Sequence, residues 1–216
     1  HDHERAAAHS AGGTPARTGI VSIPVSVVML AQNSAETLDR ALASVRAFDE
    51  VVVVDGGSVD ATASIAAAYP NVVWRVHPFR GFAEQRNFAL RQASHPWCLV
   101  LDSDETATPE LVEGIASRRW EDASASLYYV MRTDWFMGKE LDSGYARSTS
   151  HARFFRKARV DYRGHVHESP FVDGRKPHRD AEWVGTLPAD WRILHRPDND
   201  LEDELARIGT YALLKA

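Results

Sequence analysis

Four times between Pro24 and Trp120 a short apolar run gives way to a helical segment, and this alternation constrains the fold more than any other feature of the chain. The runs "PVSVVML", "EVVVVD", "NVVWRV" and "WCLVL" lack the polar alternation of strands with one wet face. Between the first two, "NSAETLDRALASVRAF" puts Leu38, Ala41, Leu42 and Val45 on one helical face, with Asn33 or Ser34 placed to cap it. "SVDATASIAAAYP" predicts a helix that stops before Pro70, and "GFAEQRNFALRQAS" predicts a third. "TPELVEGIASRRW" predicts a fourth, with Thr108 at the N-cap and Pro109 in the first turn. Buried strands separated by helices specify an α/β fold, a mostly parallel sheet with helices on both faces. Ligands of such sheets gather beyond the carboxyl ends of the strands, where the loops "DGGSVD" and "DSDE" fall.

After Trp120 the pattern changes to "SLYYVMR", "ARFFRK" and "VDYRGHVHESPFV", which predict strands of mixed or antiparallel pairing. Residues 1–22 are rich in Ala, Gly, His and Ser and are expected to form a flexible tail. Residues 23–200 form one domain, and 201–216 predict a C-terminal helix with Leu201, Leu205, Ile208 and Ala212 in one stripe. The stripe runs to the last residues and the first residue is His1, so the chain reads as truncated. At 216 residues, 44% of them hydrophobic, one core is the natural expectation.

A net charge of -5 argues against nucleic acid as partner, because phosphate backbones need a basic face. No run approaches the roughly 20 apolar residues of a membrane span, which leaves a cytoplasmic protein with peripheral membrane contact as the widest expectation. Cys98 is the single cysteine and lies inside an apolar run, where it acts as a small buried hydrophobe in a reducing compartment.

Asp102 and Asp104 end the fourth strand two residues apart, so an extended chain sends both to one side. With no basic residue beside them in sequence they repel unless they share a cation, and Mg2+ or Mn2+ suits them: such ions bind one or two carboxylates and fill their shells with water and phosphate oxygens. Asp55 ends the second strand before Gly56 and Gly57, where a carboxylate can accept from a base or ribose. Arg80, Arg86 and Asn87 in "FRGFAEQRNFAL" supply donors suited to phosphate. G-x-G-x-x-G and the P-loop are both absent.

As an ordered set, "VSVVMLAQNSAETLDRALASV", "EVVVVDGGSVDAT", "GFAEQRNFAL" and "LVLDSDETATPELVEGI" resemble glycosyltransferase family 2, inverting enzymes of the GT-A fold that use nucleotide sugars. Within it, "GFAEQRNFAL", "LDSDE" and the later "FRKARVDYRGHVHESP" look most like the bacterial lipopolysaccharide-core branch that includes a β-glucosyltransferase, and the similarity covers roughly residues 24 to 200. The resemblance implies a nucleotide pocket made by Ala31, Asn33, Glu36, Asp55, Gly57, Ser58, Arg86, Asn87 and Asp102, and a Mg2+ or Mn2+ site at Asp104 and Asp102. It also implies Glu168 as catalytic base, His165 or His167 positioning the acceptor, and His195 as a further metal ligand. Asp134 and Glu105 are alternative bases, and Trp135, Phe136 and Tyr145 are candidates to line an acceptor sugar. The donor implied first is UDP-glucose, and the acceptor a cell-envelope glycan or glycolipid.

Two other readings compete. "DSDET" also fits the D-x-D-x-T nucleophile motif of haloacid-dehalogenase-type phosphatases, with Asp102 phosphorylated and Asp104 the acid, though the motif then sits mid-chain rather than in the first strand. A catalytically dead nucleotide-sugar binder is the other, against which the intact Asp55, Asp102, Asp104 and Glu168 weigh.

Overall fold

A computed structural model describes residues 22–121, 124–136, 139–140, 149–164 and 168–196, with only the backbone of Phe136, Lys139 and Glu140. The expected tail up to residue 21, the helix at 201–216, His165, His167 and Tyr145 lie outside the described residues.

The alternating half runs β1 (Ile23–Ala31), α1 (Leu38–Ser44), β2 (Phe48–Asp55), α2 (Thr62–Ala66), β3 (Val72–Val76), α3 (Phe82–Gln92), β4 (Trp97–Asp102), β5 (Glu105–Ala107) and α4 (Pro109–Ala116). The second half is β6 (Leu127–Phe136), β7 (Lys139–Glu140), β8 (Thr149–Arg156), β9 (Val160–Arg163), β10 (Ser169–Val172), β11 (Val184–Thr186) and β12 (Arg192–His195). The main sheet is ordered β3-β2-β1-β4-β8-β6-β12-β5, with β7 and β11 also paired to β6, while β9 and β10 form a separate hairpin. β1, β2, β3 and β4 are mutually parallel, as the continuous apolar runs require, and β8 joins them antiparallel to both β4 and β6.

The strand period of two divides the core into two layers. Val27, Met29, Val51, Val53, Leu99 and Leu101 face α1 and α4, where they meet Leu38, Leu42, Leu111 and Ile115. Val28, Val52, Val54, Cys98 and Val100 face the other way, onto Ala89 and Leu90 of α3 and Phe155 of β8. Burial raises the Cys98 thiol to about 12, which suits an inert core residue.

All four helices are shorter than the sequence predicts, α4 ending at Ala116 rather than near Trp120, and the first two differ most at their N-terminal ends. α1 begins at Leu38 rather than near Asn33, after a turn in which Thr37 and Leu38 N–H donate to the Ser34 carbonyl, and neither Asn33 nor Ser34 caps the helix. α2 keeps only Thr62–Ala66 of the segment expected from Ser58. The Thr108 cap is as expected, its hydroxyl accepting from Leu111 N–H at 3.3 Å. The short β5, which the sequence did not announce, pairs antiparallel with β12. Among the described residues no helix is long and apolar enough to cross a membrane.

Candidate active site

Strand register brings the acidic loops together. Leu30 pairs with Asp102 and Ala31 with Asp55, so both aspartates flank the end of β1 in adjacent rows. Beyond that end opens a cavity of about 510 Å3. Ala31, Arg86, Asp102, Asp104, Glu168 and His195 line it, and Leu30, Gln32, Ser34, Phe79, Phe82, Ser103 and Arg132 complete much of its wall.

The two aspartates of the D-x-D have different surroundings. Asp102 accepts from Arg86 Nη2 at 2.5 Å and from Arg153 Nη2 at 2.9 Å. Burial alone would raise its carboxyl, but Arg153 and Arg86 outweigh that and hold it far below the ordinary carboxylate range. The expectation that Asp102 needs a metal to relieve repulsion is therefore corrected: two guanidiniums from distant segments already neutralise it. Glu105, behind it and wholly buried, accepts from the Asp102 N–H at 2.9 Å and from Arg153 Nη2 at 3.1 Å. It is not part of this cavity's wall, which argues against it as an alternative base.

Asp104 faces His195 instead. Its Oδ2 lies 3.1 Å from His195 Nε2, and His195 Nδ1 lies 2.8 Å from Asp134 Oδ1. Burial would lower the imidazole, but hydrogen bonds to Asp104 and Asp134 raise it to about 9. Asp134 is also held by Arg132 Nη2 at 2.6 Å and its carboxyl is lowered to about 2, against the effect of its burial, which makes it a poor proton acceptor. β12 makes this arrangement possible. His195 is in register with Asp134 of β6 on one side and Glu105 of β5 on the other. The Arg196 N–H donates to the Asp104 carbonyl at 3.0 Å and pins the end of the strand. At the other end Trp191 packs on Gly114, where a Cβ would meet the indole at 2.3 Å.

A carboxylate and an imidazole with its far nitrogen on a second carboxylate form a common metal-binding arrangement. Two ligands at right angles on a shell of about 2.1 Å sit roughly 3.0 Å apart, which fits the spacing of Asp104 Oδ2 and His195 Nε2. No group of three or more His, Cys, Asp or Glu side chains suited to a metal exists among the described residues, so an ion here would draw its other ligands from water and substrate.

Several predicted nucleotide residues act within the loops rather than in the cavity wall. Asp55 accepts from Gly57 N–H at 3.0 Å and Ser58 N–H at 2.9 Å and is paired with the Ser58 hydroxyl. The Asn33 N–H donates to Ser58 Oγ at 2.8 Å and its amide oxygen accepts from Val59 N–H at 3.0 Å, which ties the β1 loop to the β2 loop. Gly57 takes φ +108°, which a side chain would oppose. Glu36 is exposed and outside the wall. Asn87 bonds the Tyr162 backbone at both ends of its amide, a strand-like clamp on β9 that removes it from the cavity. Trp135 also lies outside the wall, its ring under the Arg196 guanidinium at 4.0 Å. Glu168 receives Arg86 Nε at 3.1 Å.

Arg132 and Arg153 were missed by sequence reasoning, since each sits in an ordinary-looking strand and no local motif announces it. Phe79 and Phe82, edge to face at 5.0 Å and partly exposed at the mouth of the cavity, were also missed. Their exposure breaks the rule for large apolar groups and could have marked them only with the fold in hand.

Comparison with known proteins bears on the family and the fold. Residues 26–176 match the family model described as glycosyl transferase family 2. The chain is 28% identical, over 91% of its length and 72% of the relative's, to the lipopolysaccharide core biosynthesis glycosyltransferase LpsC of Rhizobium meliloti. It is 39% identical over 44% of its length to the succinoglycan biosynthesis protein ExoO of the same organism, of which it spans 29%. Among solved structures, S. aureus TarS 1-349 in complex with UDP-GlcNAc superposes with TM-score 0.58 at 18% identity, over 82% of this chain and 59% of that one. The mannosyltransferase PcManGT from Pyrobaculum calidifontis in complex with GDP-Man and Mn2+ gives 0.54 at 15%, over 84% and 59%. At these identities the structures carry the GT-A fold alone.

Proposed function

From its membership of glycosyl transferase family 2, we propose that the chain carries the donor site and catalytic centre of an inverting, metal-assisted enzyme that moves a sugar from a nucleoside diphosphate onto a cell-envelope glycan or glycolipid, such as lipopolysaccharide core. UDP-glucose is the first donor to test. The single observation that carries this reading is the pairing of Asp104 with His195, itself backed by Asp134, at the mouth of the cavity beyond β1 and β4. LpsC, by its name a lipopolysaccharide core enzyme, supports the acceptor class. TarS, solved with UDP-GlcNAc, and PcManGT, solved with GDP-Man and Mn2+, support a nucleotide sugar and a divalent ion. The phosphatase reading gives way to the family match, and it would need as nucleophile an Asp102 that two guanidiniums already hold.

Asp104 and His195 would hold Mg2+ or Mn2+, and the ion when bound would neutralise charge growing on the departing diphosphate. The chain's own groups do the rest. Ser34 and Ser103, hydroxyl to hydroxyl at 2.9 Å, join the β1 loop to the D-x-D turn and fix the floor on which the diphosphate lies. Arg86, buried and bonded to both Asp102 and Glu168, sets the distance between the donor floor and the base. Glu168 removes the proton of the acceptor hydroxyl, whose oxygen bonds to the anomeric carbon as the bond to the diphosphate breaks on the opposite face.

Calorimetric titration of UDP, UDP-glucose, GDP-mannose and ADP-glucose, with and without Mn2+, tests the reading on the native chain and on Asp104→Asn. Metal-dependent binding of one nucleotide family, lost in the variant, is the expected result. Failure of all four nucleotides with a folded protein would overturn it.

A further inference from the structure

A second cavity, of about 420 Å3, opens on the far side of the wall formed by Arg86, Asp102, Arg132 and Glu168, each of which faces both spaces. Its remaining lining includes Ser150, His151 and Arg153 of β8, Tyr162 of β9, and Lys176 beyond β10. The unsatisfied groups of that lining are of the kind that hydrogen-bond acceptors match. Arg86 Nη1 and Ser150 Oγ are buried with no hydrogen-bond partner among the described residues. Lys176, exposed at the rim, enters no ion pair among those residues. The carboxylates in the wall pair elsewhere: Asp102 is held by Arg86 and Arg153, and Glu168 by Arg86. Arg132 and Arg153 are matched from behind by Asp134 and Glu105. Lys176 is thus a lining cation that pairs with no carboxylate among the described residues.

His151 reports the same local potential. Its imidazole is lowered to about 4, first by burial and then by Arg153 and Arg132, so near neutral pH it is neutral and leaves the attraction of an anion to the other cations of the lining. A neutral sugar hydroxyl could satisfy Arg86 Nη1 or Ser150. A hydroxyl oxygen can accept from Lys176 too, but an anion adds the attraction of opposite charges to that hydrogen bond, which favours an acidic group over a neutral one.

We propose that the second cavity recognises an acidic group, a phosphate or a carboxylate, on the acceptor glycan, through Lys176 at the rim with Arg86 and Ser150 beneath. This deepens and rests on the transferase reading above: an acid anchored there leaves the adjoining sugar beside Glu168, which faces both cavities.

The test uses glucose 6-phosphate, glucuronate and glucose as probes of the whole chain, titrated calorimetrically after UDP and Mn2+ have filled the first cavity. At least one acidic sugar should bind roughly tenfold more tightly than glucose, which corresponds to about 1.4 kcal/mol. Lys176→Gln should bring that ratio to within about twofold of one while UDP affinity stays unchanged, and Lys176→Glu should reverse it. Preference for glucose 6-phosphate or for glucuronate identifies the acidic group as phosphate or carboxylate. Equal binding of acidic and neutral sugars by the native chain, or a preference that survives both Lys176 variants, overturns the proposal. If UDP itself fails to bind, the donor-site reading falls, and the sugar titrations are then made without nucleotide and judged by the same dependence on Lys176.

Discussion

Replacing Arg153 by Met should destabilise the protein in a way that depends steeply on pH. Arg153 is buried, bonding Asp102 at 2.9 Å and Glu105 at 3.1 Å. Met preserves most of the apolar stem and removes the charge. Asp102 keeps Arg86, but Glu105, with no exposed surface, keeps among the described residues the Asp102 N–H and an Arg132 guanidinium 3.7 Å away. Burial already pushes the Glu105 carboxyl above its ordinary 4.5, and Arg153 is the largest influence pulling it back. Without Arg153 the cheapest response is for Glu105 to take up a proton on folding, which caps the loss. At pH 7 the cap is about 2.5 pH units above the ordinary value, or roughly 3.4 kcal/mol at 1.36 kcal/mol per unit. At pH 5 the same arithmetic leaves about 0.7 kcal/mol. The sign follows from linkage. Above pH 4.5 the folded variant binds a proton that its unfolded chain has released, so its stability falls as pH rises. Urea unfolding followed by tryptophan fluorescence, with a chelator present, should show native and variant curves converging as the pH drops from 7 to 5. The melting temperature at pH 7 should fall by roughly 7–14 °C. Adding Glu105→Gln should remove the pH dependence. A loss that is the same at pH 5 and pH 7 would refute the buried ion-pair argument.

Three further perturbations reach other parts of the same structure. Glu168→Gln should abolish transfer, measured as UDP release in the presence of acceptor, while UDP affinity changes by less than about threefold; transfer at the native rate would exclude Glu168 as base. Asp134→Asn weakens the partner of His195 Nδ1 and should lower Mn2+ affinity about 10–100-fold in a calorimetric titration with UDP, a loss that Asp134→Glu should partly restore. Gly114→Ala would place a methyl 2.3 Å from the Trp191 indole. Overpacking of about 1–3 kcal/mol, less up to about 1 kcal/mol gained in helix propensity, should lower the urea midpoint and loosen β12, and a variant as stable as the native chain would show that Trp191 moves aside freely.

Legibility in the sequence followed the range over which each feature is encoded. β1, β2 and β4 with their buried faces, the Thr108 cap and the position of the acidic loops are written in consecutive residues, and periodicity is enough to find them. Asn33, Ser34 and Asp55 are also local signals, but several partners suit each of them. Asn33 and Ser34 look like helix caps, yet their polar atoms join the β1 loop to Ser58, Thr62 and Ser103, so α1 starts later. Asp55 looks like a ribose acceptor, yet Gly57 and Ser58 supply its hydrogen bonds two and three residues on. Arg153 was beyond reach for a different reason. Its role exists only once β8 lies antiparallel to β4 and brings a guanidinium to an aspartate 51 residues earlier.

The D-x-D shows how such distant pairing divides labour between residues that the sequence presents alike. Two unit charges about 4 Å apart interact by roughly 4 kcal/mol at an effective dielectric near 20, so a neighbouring cation decides what a carboxylate can still bind. Asp102 meets Arg86 and Arg153, with its anionic charge satisfied before any ligand arrives, and it serves to fix both guanidiniums. Among the described residues Asp104 meets an imidazole, whose proton a divalent ion could replace, so in the proposed transferase its charge would be available to the ion and through it to the diphosphate. The difference comes from β12, which enters parallel to β6 and antiparallel to β5 and sets His195, rather than a third arginine, beside Asp104. Exchanging that imidazole for a guanidinium, as His195→Arg would, should therefore leave the fold intact by circular dichroism and eliminate the Mn2+ dependence of UDP binding.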